Sequence, residues 1–423
     1  MPFFKDFTKV VKPKQSYSFD VVIYNTNYST ELQQVRIVAS IYLPYLIYVL
    51  EFLVDSNDLI QEKIYGQNFI KFKLNSAGDD GFLFDSDYVE LMVIHSSFLL
   101  TQKDALSREK QIDKTPFQVI CVERKNFSIA TQMINDVFHG KKIKEILEDI
   151  VKNKLKSKLE IDEEGLNNKI IDQIIIPPIS FCSAIRKYLD KPFGIYDGPY
   201  QIKINHSDIK NGESSIIIRN LSKQMNSSHI IVHQLATNNP DNIKVIEKCG
   251  DGTNFYTYSI HKSNFNANPV FAAMATVAKH IIKPKDSLYG IIQQKLDEVC
   301  KRSGLMSKKD ANIPYDEILK SRIKYYTDNT GLDKEDKTFA NAMMSKRISS
   351  LANITVNVER SFKLNNLLEV GKPVKFKPYV TEYANLAGNY ILSGTDLKFT
   401  KDKALQWNST ATIRMIRSHK EIV

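Results

Sequence analysis

The chain is poor in cysteine, glycine and proline, and each shortage excludes some classes of protein. Its 423 residues include 4 Cys, 16 Gly and 14 Pro. The four cysteines are far apart and form no C-x-x-C pair, so we expect reduced thiols of a protein made in a cytoplasm, not a disulfide framework or a zinc site. The low glycine and proline content argues against long flexible or collagen-like segments. The cysteines are Cys121, Cys182, Cys249 and Cys300.

Long hydrophobic runs are also missing. The most apolar stretch, 37–50, contains Pro44 and is too short to cross a bilayer, so we interpret it as buried strands and expect no membrane insertion. Residues 1–14 carry four lysines and lack the apolar centre of a secretory signal.

The net charge of +10 permits contact with nucleic acid. However, the lysines of segment 141–158 are interspersed with acidic residues and form no basic stripe. Nucleic-acid binding therefore stays an alternative, which a steep salt dependence of DNA binding would support.

Motifs that carry chemistry are not found. The pair His229 and His233 has the spacing of a zinc-binding helix but lacks the catalytic Glu, and the Ile-Ile-Val between them favours a strand. Four aspartates around Gly81 lack the Glu that closes a calcium loop, which favours a solvated hairpin tip. No nucleophile elbow, phosphate loop or dinucleotide fingerprint is present. We therefore expect no enzyme activity, and no catalytic, cofactor-binding or metal-binding residue. The aspartates are Asp79, Asp80, Asp85 and Asp87.

The residue pattern predicts a β-dominated α+β fold. The chain has 22 Phe and 20 Tyr, residue types that suit half-buried sheets. Segments 17–125, 213–262 and 348–417 read as short strands with turn signals between them. Helical spacing is seen at 129–137, at 143–155 and across 284–346, and 174–205 reads as an extended segment, a short helix and a hairpin.

One strand pattern occurs twice. The segments GQNFIKFK (66–73) and GKPVKFK (371–377) each place an apolar-Lys-Phe-Lys strand after a glycine turn. This similarity hints at two related β domains.

Two parts of the chain resemble a known family. The C-terminal phrases are LLEVG (367–371), VKF (374–376), YANLAGNYIL (383–392) and WNSTATIRMIR (407–417), and the central ones are IIPPISF (175–181), AIRKYL (184–189) and FGIY (193–196). They resemble the baseplate hub proteins of contractile-tailed bacteriophages.

The resemblance implies two tail-tube-like antiparallel β-barrel or sandwich domains with helical and mixed α/β inserts. We assign 1–128 to the first tube-like domain and 129–212 to a helix plus strand–helix–hairpin insert. Segment 213–283 would help complete the second tube-like domain, 284–346 would be a helical insert without a counterpart in the family, and 347–423 would supply the last strands of the second domain.

The resemblance also implies a function. Three copies would form a ring with six near-equivalent positions, joining the hexameric tail tube to the trimeric central spike. The implied partners are the homotrimer itself, the tail tube protein, the central spike protein, and a baseplate wedge or tape-measure protein, with DNA passing only through the lumen. The protein would reside in the tail baseplate of the virion after assembly in the host cytoplasm.

The resemblance also suggests ring or lumen contacts, at Lys71, Lys73, Lys375, Lys377, Arg414 and Arg417, and residues of the barrel core, at Tyr390 and Trp407. Because a cationic lumen would retain DNA, at least half of the four lysines should be neutralised or turned away from it. Besides nucleic-acid binding, two alternatives remain: an adaptor of another contractile injection machine, and a tail-associated peptidoglycan hydrolase.

Overall fold

The computed structural model describes most of the N-terminal half and the C-terminal strands. The described residues are 16–55, 58–67, 69–77, 88–98, 114–190, 195–196, 200–208, 213–221, 229–236, 245, 253–265, 352–358, 365–402 and 404–417. Among them, no helix is both long and apolar enough to cross a membrane. The predicted helical insert at 284–346 and the four aspartates around Gly81 lie outside the described residues.

Strands dominate the described chain. The strands are β1 (Ser16–Ile23), β2 (Thr26–Asn27), β3 (Leu32–Ser40), β4 (Ile47–Asp55), β5 (Phe69–Ala77), β6 (Val89–Phe98), β7 (Lys114–Glu123), β8 (Met133–Lys142), β9 (Lys158–Ile161), β10 (Ile170–Ser180), β11 (Tyr200–Asp208), β12 (Glu213–Asn220), β13 (Ile230–Gln234), β14 (Asn254–Thr257), β15 (Ile260–Phe265), β16 (Ala352–Val358), β17 (Pro373–Pro378), β18 (Gly388–Lys401) and β19 (Trp407–Arg417). The helices are α1 (Ile60–Gln67), α2 (Arg124–Thr131), α3 (Ile143–Asp149, continued by a π-helical turn, Ile150–Lys154), α4 (Phe181–Ala184, continued by a π-helical turn, Ile185–Leu189), α5 (Asn365–Leu368) and a 3-10 helix (Thr381–Leu386).

One large sheet joins the two ends of the chain. Its 14 described strands run in the order β14-β13-β17-β18-β3-β4-β7-β6-β5-β1-β2, with β19, β16 and β15 continuing from β18. All pairs are antiparallel except those of β13 with β14 and with β17. Apolar side chains alternate with outward ones, as Val35, Ile37 and Ala39 do in β3. These side chains and those of the C-terminal strands form one shared core.

The region between the two halves of the sheet has its own core. The pair β8–β10 and the three-stranded sheet β11-β12-β9 enclose it together with α3 and α4. In α3 the predicted apolar stripe is buried, including Ile143, Ile146 and Ile150. The Glu145 carboxylate accepts a hydrogen bond of 2.9 Å from the Lys142 backbone N–H, which caps the start of this helix.

Three local predictions are wrong or incomplete. Helical spacing at 129–137 is overturned, because the chain leaves α2 at Gln132 and Met133 begins β8, which pairs with β10. In β8 it is Ile134 and Phe138 that point inward, and a four-residue spacing fits one face of a strand as well as of a helix. Within the strand-like segment 17–125, the stretch Ile60–Gln67 is helical. Finally, β12 belongs to the sheet of the central region, which therefore extends past the expected boundary at 212.

Candidate assembly surface

The large sheet contains the same structural unit twice. Repeat 1 consists of β3, β4, α1, β5, β6 and β7, and repeat 2 of β15, β16, α5, β17, β18 and β19. In each, the strand order is the same: β5-β6-β7-β4-β3 in repeat 1 and β17-β18-β19-β16-β15 in repeat 2, all antiparallel. In each repeat a helix lies in the chain between the fourth and the first strand of this order: α1 lies between β4 and β5, and α5 lies between β16 and β17.

The residue registers of the two repeats also agree. Ile70 faces Leu91 in repeat 1 as Val374 faces Tyr390 in repeat 2. Counting on from these pairs, the β-bulge in β6 falls at Ile94, between Val93 and His95, and the bulge in β18 falls at the equivalent place, between Leu392 and Gly394. A bulge re-aims a strand, and matching bulges mean that the two strands bend at the same point.

The fifth strands of the two repeats, β3 and β15, agree less closely. The bulge of β3 follows Leu32, whereas that of β15 follows Ile260, which corresponds to a position closer to the middle of β3. The equivalence is therefore secure for the other four strands and for the part of each fifth strand beyond its bulge.

The four predicted contact lysines occupy equivalent places in the repeats. Lys71 and Lys73 lie on β5 and Lys375 and Lys377 on β17, and in each strand an exposed lysine and then a half-buried one alternate with buried apolar residues. Five strands separate β5 from β17, which is roughly 29 Å along the sheet at about 4.8 Å per strand. The structure therefore places one lysine pair in each repeat, on strands that are not neighbours in the sheet.

The charges around the two lysine pairs differ. In repeat 1, Lys71 is opposite Glu90 of β6, and Lys73 is opposite Asp20 of β1. The Glu90 carboxylate forms an ion pair with Arg124 at 3.1 Å. Repeat 1 therefore places two carboxylates and one further cation beside its two lysines.

In repeat 2 the facing residues carry no carboxylate. Lys375 lies opposite Asn389 and Ile231, and Lys377 lies opposite His233. Repeat 2 therefore has two lysines with no carboxylate directly across from them, whereas repeat 1 has two lysines and Arg124 beside two carboxylates.

The two repeats meet where β3 pairs with β18. Seven residues of β3 are in register with β18, from Ser40 opposite Gly394 to Gln34 opposite Thr400. On the outer face the Arg36 guanidinium binds the Asp396 carboxylate with two hydrogen bonds, one of them 2.6 Å from Nε to Oδ1. Hydrogen bonding to Asp396 raises the pKa of the Arg36 guanidinium. This contact was not predicted from the sequence, where its one signal is a lone arginine among the apolar residues of β3.

The remaining arginine candidates lie on the last strand. Arg414 is exposed on β19, opposite Thr355 of β16 and Gly394 of β18. Arg417 ends β19 opposite Tyr390. Neither is near the lysines of β5 in the strand order, so the six candidates are spread over both repeats.

The two core candidates lie in the shared core and at its rim. Tyr390 is fully buried, its hydroxyl donates to the Leu386 carbonyl at 2.7 Å, and its ring meets Phe376 edge-on. Trp407 is partly buried, and its ring packs edge-on against Phe19 at 4.5 Å between centroids. Trp407 thus connects the last strand to the first.

Of the two histidines with zinc-helix spacing, His233 is engaged by protein groups. His233 is buried on β13, with Nδ1 at 3.2 Å from the Tyr379 hydroxyl and Nε2 at 3.0 Å from Asn254 Oδ1. His229 precedes the strand. Within the described parts of the chain, no three His, Cys, Asp or Glu residues are grouped as metal ligands would be. Of the described cysteines, Cys121 and Cys182 are both free thiols.

Comparison with known proteins places the chain in a family. The family model described as Bacteriophage PBS1 gene 109 protein matches residues 92–367, well over half of the chain. The chain belongs to this phage protein family. The matched segment begins in β6 and ends in α5, so it spans the central region and parts of both repeats. No curated protein sequence matches the chain.

Two solved structures have a similar fold over nearly the whole length. The 43 kDa tail protein of prophage MuSo2 from Shewanella oneidensis is 10% identical, with a TM-score of 0.51, and the alignment covers 96% of this chain and 99% of that one. The tail protein from Neisseria meningitidis MC58 is 9% identical, with a TM-score of 0.50, covering 95% and 97%. The gene 109 family member described here therefore has the fold of phage tail proteins. This confirms the expected fold class and, at the level of family and fold, the resemblance to tail hub proteins.

Proposed function

We propose that this phage protein is a structural subunit of the tail baseplate hub. Three copies form a ring in which six sheet units, two from each chain, occupy near-equivalent positions. One face of the ring meets the hexameric tail tube, and the other meets the trimeric central spike. In this proposal no residue is catalytic, and the functional surfaces are strand edges and hairpin ends.

The observation that supports the proposal is the internal repeat. A ring that joins sixfold and threefold partners needs subunits that present one surface twice. The two repeats share strand order, register and the β-bulge at Ile94 and Ser393. They also present the same pattern of Lys-Phe-Lys residues on β5 and β17.

The charge pattern adds a detail to the proposal. If β5 and β17 line the lumen, the lysines of repeat 1 and Arg124 lie beside the carboxylates of Glu90 and Asp20, so the ring is less basic at repeat 1 than at repeat 2. Fewer basic contacts mean weaker retention of passing DNA. The other proposed partners are the tail tube protein, the central spike protein, and a wedge or tape-measure protein, in the baseplate of a virion assembled in the host cytoplasm.

Native mass spectrometry tests the proposal. The purified chain, alone or mixed with its spike protein, is expected at three times the single-chain mass of 48.5 kDa. A species that stays monomeric alone and with its spike, or that forms dimers, contradicts it. Turnover of purified cell wall by the monomer would instead favour the hydrolase alternative.

A further inference from the structure

We propose that copies of this chain join by pairing the free edge of β6 with β15 of a neighbouring copy, antiparallel and with Ser97 opposite Asn264. The partner is a second copy of this chain, and the inference rests on the ring of the proposed function. It adds the strands and the register that close the ring.

The contact between the repeats inside one chain supplies the template. There, β3 of repeat 1 pairs with the second half of β18 of repeat 2, beyond the part that pairs with β17. By the equivalence of the repeats, β3 corresponds to β15, and β18 corresponds to β6. The same contact made between chains therefore pairs β15 of one copy with the second half of β6 of the next.

Both strands have an unpaired edge at the required place. Among the described residues, β15 pairs only with β16, and β6 beyond Met92 pairs only with β7. In β18 the corresponding stretch, from Gly394 onward, is the one that β3 covers. An open strand edge readily pairs with another chain, and folded proteins usually protect or use it.

The side chains on the free edge of β6 are exposed where their counterparts are covered. Phe98 is 40% exposed although its ring lies 4.9 Å from that of the core residue Phe117. Its counterpart Leu397, which pairs with Ile37 of β3, is fully buried. At the bulge, Ile94 is 53% exposed and its counterpart Ser393 is 8% exposed. An added strand would cover the two apolar side chains at the edge.

The register follows from the equivalent pairs. Val38 of β3 faces Ile47 of β4, and Asn264 of β15 faces Asn353 of β16, which corresponds to Ile47. Val38 therefore corresponds to Asn264.

The other half of the pair follows from β6. Ser97 faces Gln118 as Asp396 faces Thr412, so Ser97 corresponds to Asp396. Since Asp396 faces Val38 within the chain, Ser97 is expected to face Asn264 of the next copy. Both positions lie beyond the bulge that distinguishes β15 from β3.

Disulfide trapping in the full chain tests the register. Opposite residues of an antiparallel pair have Cα atoms about 4.5–5.5 Å apart, within the range that a disulfide spans. The double variant Ser97→Cys/Asn264→Cys is expected to form intermolecular disulfides on mild oxidation. More than half of the chains should then be found in covalent trimers. The matched control is Ser97→Cys/Ser263→Cys, which is shifted by one residue and so places its thiols on opposite faces of the sheet. The single variants measure disulfides that involve the natural cysteines.

Native mass of the same reduced variants separates the two proposals. A trimer that is trapped in the first variant and not in the control supports the pairing. A trimer that is not trapped, or that is trapped equally in the control, overturns this pairing and leaves the ring in place. A chain that forms no trimer with or without its spike partner overturns the ring, and the pairing with it.

Discussion

Replacing Gly371 by alanine should destabilise the packing of the central region against the large sheet. Gly371 is buried immediately before β17, and its N–H donates to the Leu392 carbonyl of β18 at 2.7 Å. Its φ is +95°, and a Cβ there would lie 2.6 Å from Gln201 Oε1 and 2.9 Å from Leu221 Cδ2. Both of these neighbours belong to the central region.

The expected loss has two parts. A left-handed backbone costs a non-glycine residue about 1–2 kcal/mol, and overpacking a close contact costs about 1–3 kcal/mol. Loss of glycine's freedom in the unfolded chain returns about 0.4–1 kcal/mol. We therefore expect Gly371→Ala to lower the free energy of unfolding by about 1–5 kcal/mol, with a central value of about 3 kcal/mol.

Gly140 offers a matched control. Its φ is +60°, and a Cβ there would meet nothing within 4 Å. Gly140→Ala should therefore cost about 1 kcal/mol or less, from the backbone alone. Adding Gln201→Ala to Gly371→Ala should recover about 1 kcal/mol, because it removes the nearer of the two clashing groups.

Urea unfolding followed by far-ultraviolet circular dichroism measures these differences. Equal losses for the two glycine variants would refute the reasoning, because they would mean that the contact with Gln201 and Leu221 does not constrain position 371. A loss that Gln201→Ala deepens would refute it as well.

Three further predictions concern the buried carboxylate, the free edge and the lysines. The Glu123 carboxylate is buried and accepts hydrogen bonds from the Leu46 N–H and from Asn126, and its burial raises its pKa. The stability that the protonated carboxyl contributes is therefore fully present below the ordinary carboxyl pKa and is lost as the pH rises through the raised pKa. Urea titrations should show that the stability of Glu123→Gln relative to the natural protein increases as the pH rises above the ordinary carboxyl pKa. A difference that shrinks with rising pH would be contrary to this. Phe98→Lys should weaken the proposed trimer at least about tenfold on dilution, by analytical ultracentrifugation, and should lower the free energy of unfolding by about 1 kcal/mol through the lost ring contact with Phe117. Tyr65→Lys, at a 64% exposed position on α1, should leave the trimer intact, and equal effects of the two variants on the trimer would count against the edge. Lys375→Gln/Lys377→Gln should reduce DNA binding by the proposed ring more than Lys71→Gln/Lys73→Gln does. The slope of log affinity against log salt concentration should become shallower by about 0.9 for each phosphate contact that is lost. A larger effect of the Lys71/Lys73 pair would be inconsistent with the charge pattern.

The sequence predicts the local strands well where apolar and polar residues alternate. The strand pair around Pro44 and the last strands of the chain were expected from this alternation and are observed as β3, β4, β17, β18 and β19. Prediction from the sequence fails where one residue spacing fits both a helix and a strand. Ile134 and Phe138 lie four residues apart, and only the pairing with β10 places them in a strand.

The joining of the two ends of the chain could not be predicted from local pattern. β3 pairs with β18 across about 360 residues, and nothing in either strand's alternation specifies that partner. The ion pair of Arg36 with Asp396 can be recognised only once the two strands are paired. The Lys-Phe-Lys similarity did point to two related units, because β5 and β17 keep the same inward phenylalanine and outward lysines.

Electron cryo-microscopy of the assembled tail tests the central claim most directly. The account predicts a threefold ring in which β5 and β17 alternate around the axis at nearly equal radius and at steps close to 60°. A ring with another number of copies, or one in which the two repeats lie at clearly different radii, would contradict it.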